Sequence, residues 1–448
     1  MWTRRSLGGL ALSLTAARQG QAQQTENPAA APPTTQSADA RALRAYAETT
    51  HPRGREAAAD PVWREGWDDL IARADALDPA TYVMSAKARL AWFADGHTTI
   101  FIGGVTAPGF DLRLPIGVKP LEDGLFVISA KDDGAPLLGA RITAVEGVPA
   151  AVLARQFIRD WPGNNPAWGH HDLGLAFLPA ILRGSGLTPS KPVDAPVLIE
   201  ANRDGTPVRS LLSPRVDGAQ GREPFARTPS RIESLRPTDT RNFVRLLDDG
   251  HTVLIAFDSM SEDLTPTLEF VRQCFTALDN PAVRRVVVDL RRNGGGNNFL
   301  GEGLRKYLER SRFNRPGGLY VLIAPQTFSA AQNLATRLER ETYAIFVGQP
   351  TGGSPNHYGD ARPFAGQGYT GLVSTLPWFD SYPADTRRWI MPDILTPDVF
   401  ADWAAGRDPA LEAALAHTTD ALPNDLSQTR TFPAVRPGQE AAWTPFWA

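Results

Sequence analysis

Arg284-Arg-Val-Val-Val-Asp289-Leu-Arg-Arg-Asn-Gly294-Gly295-Gly296-Asn297-Asn298 is the stretch on which the fold turns. Its first half is a short β-branched run, the composition of a strand buried on both faces. The three glycines open backbone shapes closed to other residues. From Asn298 to Arg310 the spacing is helical. The same unit then repeats. Leu319-Tyr-Val-Leu-Ile reads as a buried strand, a turn follows through Pro325 and Phe328, Ser329 to Glu341 reads as a helix, and Tyr343-Ala-Ile-Phe-Val as the next strand. Upstream, Thr252-Val-Leu-Ile-Ala-Phe is a strand and Thr265 to Leu278 an amphipathic helix. Strands alternating with helices predict an α/β fold, a sheet with helices on its faces.

Two of these turns carry chemistry. Consecutive glycines at a helix mouth turn N–H groups toward one point, a nest that stabilises an anion. The nest is suited to a phosphate or to an oxyanion; the bland alternative is a tight turn with no ligand. No Gly-x-Gly-x-x-Gly or Gly-Lys-Ser/Thr pattern follows, which counts against a nucleotide. Ser329 starts a helix after a buried strand. A serine there is either an N-cap or a nucleophile presented by a strand–turn–helix. In the second case the Ala330 N–H lies beside the reacting carbonyl and helps bind its oxyanion. A neutral hydroxyl then needs a partner base.

The rest of the 448 residues sort by pattern. Residues 1–22 carry Arg4-Arg5, a short apolar run and small residues near Ala22, the pattern of a signal peptide with a twin-arginine-like n-region. Export to the periplasm or exterior of a bacterium is therefore expected. Residues 23–38 are a Pro/Ala/Thr-rich disordered linker. Residues 39–100 form an N-terminal helical segment, broken at Asp95-Gly96, so that His97 falls at a helix-to-strand junction. Residues 101–242 read as a β-rich module whose order of strands and helix is PDZ-like, closing with a polar, Arg/Pro/Gly-rich mobile linker from 215. Residues 243–420 are the α/β core and 421–448 a tail whose Trp443 to Trp447 end docks on the body. Net charge is −3 and the pI 6.2, against a dedicated nucleic-acid binder. The single cysteine, Cys274, rules out an intrachain disulfide framework and Cys-rich metal sites. No later run of apolar residues is long enough to span a bilayer, so the mature chain is expected to be soluble.

Taken in order, Asp95-Gly-His-Thr, the Asp-Leu-Arg-Arg-Asn-Gly-Gly-Gly-Asn stretch, Thr-Phe-Ser-Ala-Ala and Gly348-Gln-Pro-Thr-Gly-Gly-Ser resemble the S41 peptidases, which include the C-terminal processing proteases and the tricorn core protease. The resemblance spans roughly residues 85–400 and is specific over 284–360. It implies a ClpP/crotonase-like core, Ser329 as nucleophile and an oxyanion hole from the N–H groups of Gly295 and Ala330. It implies a polypeptide substrate and no cofactor or metal. The processing proteases use a lysine base 25 residues after the serine, where this chain has Ser354. Of its five lysines, only Lys306 is left open as a substitute. The tricorn branch uses a histidine at the position matching His97, which favours that branch and His97 as general base. His357 is the competitor, in a loop suited to substrate contacts together with Tyr358.

The third member is open at this level. In the tricorn branch a small polar residue precedes the histidine and an acid follows the serine by about sixty residues. Here Gly96 precedes His97, and Asp360, Asp380, Asp385 and Asp393 are the downstream acids. Asp385 is nearest by spacing, Asp360 closes the His357 loop, and Asp393 reads as a structural turn. Tyr358, Phe364, Tyr369, Trp378, Phe379, Tyr382 and Trp389 either line an apolar pocket or belong to the core. Three functions are compatible: an exported serine peptidase, a non-catalytic binder of a peptide or apolar ligand on the same scaffold, and a small-molecule esterase or amidase. A Ser329–His97 separation beyond about 6 Å would favour the binder. Oligomeric state is not legible.

Overall fold

The computed structural model describes residues 34–260, 263–417 and 442–448. The expected leader, most of the linker and much of the tail lie outside these. The α/β expectation holds. A six-stranded sheet runs in the order Ile394–Leu395, Ile345–Gly348, Leu319–Ile323, Arg285–Asp289, Thr252–Ala256, Phe243–Leu246. All neighbours are parallel except the last pair, where Phe243–Leu246 closes the edge antiparallel.

Alternation along these strands loads both faces. Val286 and Val288 pack with Leu304, Leu308, Leu334 and Leu338 from the helices Phe299–Arg310 and Ala330–Glu341. Val287, between them, packs on the other side with Tyr320, Leu411 and Ala414. Each such fully buried valine or leucine contributes roughly 1.5–3 kcal/mol relative to exposure. The helix Pro409–Ala416 that covers this second face starts at Asp408, whose carboxylate accepts from Leu411 N, with proline at the first helical position.

A second sheet, antiparallel throughout its main path, orders Ile116–Leu121, Gly124–Ala130, Arg141–Val145, Val197–Arg203 and Thr206–Leu212. Its core is continuous with the N-terminal helices Gln36–Thr50, Pro61–Arg73 and Pro79–Leu90. The first helix begins inside the stretch read as linker, because Thr35 caps it by accepting from Ala38 N. The 215–242 stretch is not structureless either. It holds a short helix, Arg231–Leu235, opened by a capping box of Ser230 and Glu233, and Arg236 pairs with Asp258. At the far end Trp443 and Trp447 are buried, and Trp447 Nε1 donates to His170 Nδ1 at 2.9 Å. Among the described residues no helix is long and apolar enough to cross a membrane.

One small sheet positions the site. Thr99–Ile100 pairs antiparallel with Leu372 and Gly371 of the strand Tyr369–Val373, so the N-terminal segment is stitched to the C-terminal part of the chain. A buried trio reinforces the seam: the Tyr369 hydroxyl donates to Asp39 Oδ2 at 2.7 Å, and the Tyr82 hydroxyl donates to the same carboxylate.

Candidate active site

The turn after Leu319–Ile323 is lashed to the glycine turn beside it. Thr327 Oγ1 donates to Leu290 O at 3.0 Å and Phe328 N to Asn293 O at 3.2 Å. Asn293, fully buried, donates through Nδ2 to Phe257 O at 2.7 Å. The turn ends on Ser329 with φ 53° and ψ −127°, a left-handed shape that costs a non-glycine residue about 1–3 kcal/mol. Its side chain makes no cap bond to the helix Ala330–Glu341, which sets aside the N-cap reading. The half-buried hydroxyl lies 2.9 Å from His97 Nε2, across 232 positions of chain.

His97 is held on several sides. Its ring stacks on Phe328, centroids 4.6 Å apart and 27° between planes, and Phe328 stacks in turn on Trp168. Gly96 makes this possible: a Cβ there would sit 2.7 Å from Phe328 Cζ. The missing side chain before the histidine is thus room for an aromatic ring. His357 stacks near-parallel to His97 at 5.7 Å. Its Nδ1 lies 3.1 Å from Ser354 O, which places the proton on Nδ1. Burial, then the neighbouring His97, pull His357 down to about 4, so it is neutral near pH 7.

Behind His97 stands a residue read in the sequence only as a helix breaker. Asp95 is completely buried. Its Oδ1 accepts from His97 N at 3.0 Å and lies 3.5 Å from His97 Nδ1. Its Oδ2 accepts from Thr98 Oγ1 at 2.7 Å and from Ser374 Oγ at 2.6 Å, with His51 Nε2 at 3.5 Å. His51 Nδ1 accepts from Arg53 N at 3.0 Å, so the His51 proton is on the nitrogen facing Asp95. Burial would raise the Asp95 carboxyl, but the imidazoles of His51 and His97 and the Ser374 hydroxyl outweigh it and hold it well below the usual carboxylate range. A signal existed in the sequence. Asp-Gly-His-Thr is a side-chain-capped turn, in which an aspartate bonds the backbone two residues on.

The other expected acids are elsewhere. Asp385 accepts from Ser381 Oγ at 2.6 Å and from Arg387 Nη2 at 2.8 Å, and Arg387 also binds Glu339 through two bonds. Asp360 accepts from Trp378 Nε1 at 2.7 Å. Neither is bonded to His97: Asp385 is taken by donors of its own loop and Asp360 by Trp378 of the strand Leu376–Phe379. Asp393 accepts from Phe346 N of the strand Ile345–Gly348 at 2.9 Å. Ser354 Oγ donates to Arg388 O at 2.8 Å, and Lys306 is exposed, 4.0 Å from Glu302.

The glycine nest is partly as expected. Gly295, at φ +102°, lies against the nucleophile: a Cβ would come 2.5 Å from Ser329 Cβ and 2.8 Å from Ala330 N. Only glycine fits. Its own N–H is directed to Asn293 Oδ1 at 2.9 Å. The Ala330 N–H has no acceptor among the described residues, so of the two amides expected to bind an oxyanion it is the uncommitted one. Tyr358 packs on His51 with ring centroids 4.7 Å apart rather than on His97. The aromatics of 358–389 disperse. Phe364 and Tyr369 face the N-terminal helix through Tyr46, Trp389 meets Trp443, and Phe379 is 57% exposed.

The class this defines is an α/β protein whose strand–turn–helix presents a serine to an imported histidine. The particular fold is shared with mature CPAF: TM-score 0.55 at 12% identity, covering 85% of this chain and 95% of that one. The complex of mature CPAF with lactacystin gives TM-score 0.53 at 12% identity, with 82% and 94% covered. Tricorn protease is more distant, at TM-score 0.40 and 13% identity over 85% of this chain and 36% of that one. No family model and no curated protein sequence matches the chain.

Proposed function

We propose that this chain is a serine-type peptidase in which Ser329 attacks the carbonyl of a peptide bond and His97 is the general base. The observation that carries the reading is the 2.9 Å approach of His97 Nε2 to the Ser329 hydroxyl, with a sealed carboxylate behind the ring. It is well inside the distance beyond which a passive binder is the better reading.

With the His97 proton on Nδ1, facing Asp95, Nε2 has a lone pair for the serine proton. As Ser329 Oγ bonds to the carbonyl carbon, that proton moves to Nε2 and the ring becomes cationic. The Asp95 carboxylate stabilises the cation, and the 3.5 Å contact tightens as charge develops. The carbonyl oxygen, now negative, takes the Ala330 N–H, a donor worth about 3 kcal/mol in such transition states. Nε2 then returns its proton to the leaving amine, and a water deprotonated by the same nitrogen releases the acyl group. Asp95 takes the orienting role that the resemblance assigns to a downstream acid.

Ser329→Ala tests the assignment. Peptide hydrolysis falls by about 10⁶-fold, as when the nucleophile of a triad is removed, and labelling by a fluorophosphonate probe disappears. Labelling that survives the substitution removes Ser329 from the mechanism. The leader pattern at residues 1–22 extends the proposal to an exported enzyme. A periplasmic extract yielding protein that starts at Gln23 supports this, and protein confined to the cytoplasm with Met1 retained overturns it.

A further inference from the structure

The buried carboxylate behind the serine and histidine faces two imidazoles, and the reaction proposed above uses one of them. His97 Nδ1 stands 3.5 Å from Asp95 Oδ1, and His51 Nε2 stands 3.5 Å from Asp95 Oδ2. His51 directly follows the helix Gln36–Thr50, and its side chain is sealed from solvent. Its ring lies against Phe93, with centroids 4.0 Å apart, and against Tyr358, at 4.7 Å. One strand lines both imidazoles: Asn356–Gly359 brings Tyr358 to His51 and His357 to His97.

Packing against two aromatic rings asks only for a third ring, but the nitrogens of His51 are also placed. Nδ1 accepts from Arg53 N at 3.0 Å, so the proton is on Nε2. That N–H is buried and closes no hydrogen bond of ordinary length among the described residues; the group opposite it is Asp95 Oδ2. A buried donor is costly without an acceptor, and the carboxylate is the acceptor on hand. Burial raises the Asp95 carboxyl, and of the groups that oppose burial His51 comes first, ahead of His97 and Ser374. Besides Asp95, the titratable and charged groups facing the two rings are Tyr358, His357 and Arg53, the last paired with Glu56 and lying over the Trp92 ring.

We propose that His51 is a positioning residue acting through Asp95: its N–H draws on the charge of the carboxylate and so limits how strongly Asp95 holds a proton on His97. The proposal rests on the peptidase reading above. A general base must be free of its proton before the serine attacks. A carboxylate with fewer donors favours the cationic ring more strongly and leaves less of the imidazole free near neutral pH. The second imidazole sets the balance. Asp95 keeps enough charge to stabilise the cation that forms during attack, and too little to hold that cation beforehand.

The test follows the rate at which a fluorophosphonate modifies Ser329, read by intact mass on the full chain across a pH series. The acid limb of that profile reports the group that takes the serine proton. His51→Phe keeps a ring against Phe93 and Tyr358 and removes the N–H, and the midpoint of the limb is expected to rise by at least about half a pH unit. His51→Gln, whose amide can put an N–H where Nε2 stands, is expected to return the midpoint to within about 0.2 units of the unaltered chain. A residue that only fills space would lower the unfolding temperature in His51→Phe and leave the midpoint in place. A midpoint unmoved in His51→Phe, or moved equally in both variants, overturns the proposal while Ser329 hydrolysis stands. If His51→Phe does not fold, ring-nitrogen NMR of the unaltered chain carries the test: a proton on His51 Nε2 supports the proposal, and one on Nδ1 overturns it. Failure of the probe to modify Ser329 in the unaltered chain overturns the peptidase reading, and this proposal with it.

Discussion

Two buried carboxylates, Asp95 at the helix-to-strand junction and Asp385 in the 380–387 loop, have similar surroundings and opposite chemical prospects. Each accepts a serine hydroxyl at 2.6 Å, from Ser374 and Ser381 respectively. Each is opposed by burial and still held below the ordinary carboxylate range. The difference is the countercharge. Asp385 faces the Arg387 guanidinium, which also clamps Glu339. Among the described residues no lysine or arginine pairs with Asp95; its partners are hydroxyls, a backbone N–H and two imidazoles. A carboxylate neutralised by a permanent cation stabilises structure. One that no permanent cation neutralises keeps its field for a charge that appears only during reaction.

The largest effect that would break this contrast is on turnover. Asp95→Asn is expected to lower kcat/KM for a fluorogenic peptide by about 10³–10⁴-fold, or roughly 4–5.5 kcal/mol, while Asp385→Asn stays within about threefold. If the two swap, the roles assigned above are wrong. The next effect is on stability. Asp385→Asn strips a buried guanidinium of one partner and should cost about 3–5 kcal/mol in denaturant unfolding.

A pH series sharpens the picture further. The folded-state value of His357 is depressed to about 4, below that of the free side chain near 6.5. Its neutral form therefore contributes stability that is fully present above about pH 6.5 and is lost as pH falls toward 4. The loss should total no more than about 3.5 kcal/mol at about 1.4 kcal/mol per unit, and His357→Asn should flatten it in a denaturation series. The smallest test compares the two serines. Ser374→Ala and Ser381→Ala should each cost about 1 kcal/mol of stability, but only Ser374→Ala should also lower kcat/KM. Equal effects on activity would erase the distinction between the carboxylates.

The parts of this picture that were legible in sequence are those with local causes. The strands and helices from Thr252 to Gly348 follow from β-branched runs and helical spacing, and the helix after Asp408 from its cap and proline. Ser329 and His97 stood out because of the turns they occupy. Asp95 did not, because the role proposed for it depends on Ser374, 279 positions away, and on His51 at the end of the helix Gln36–Thr50. Gly96 read as a lost hydroxyl because nothing in sequence announces that Phe328 needs the space. The aromatics of 358–389 are neighbours in chain but pack apart, Phe364 and Tyr358 against the end of the helix Gln36–Thr50 and Trp389 against Trp443, so their proximity in sequence left pocket and core undecided.

The pairing of Thr99–Ile100 with Leu372 and Gly371 has a consequence for the life of the molecule. A ribosome makes His97 long before it makes Ser329, and Ser374 later still. Until the late strand arrives, the imidazole has no alcohol to deprotonate and its aspartate lacks a donor. Under the peptidase reading proposed above, the growing polypeptide is therefore unarmed until Ser374 is made, and folding is itself the safety catch that protects its neighbours from being cut.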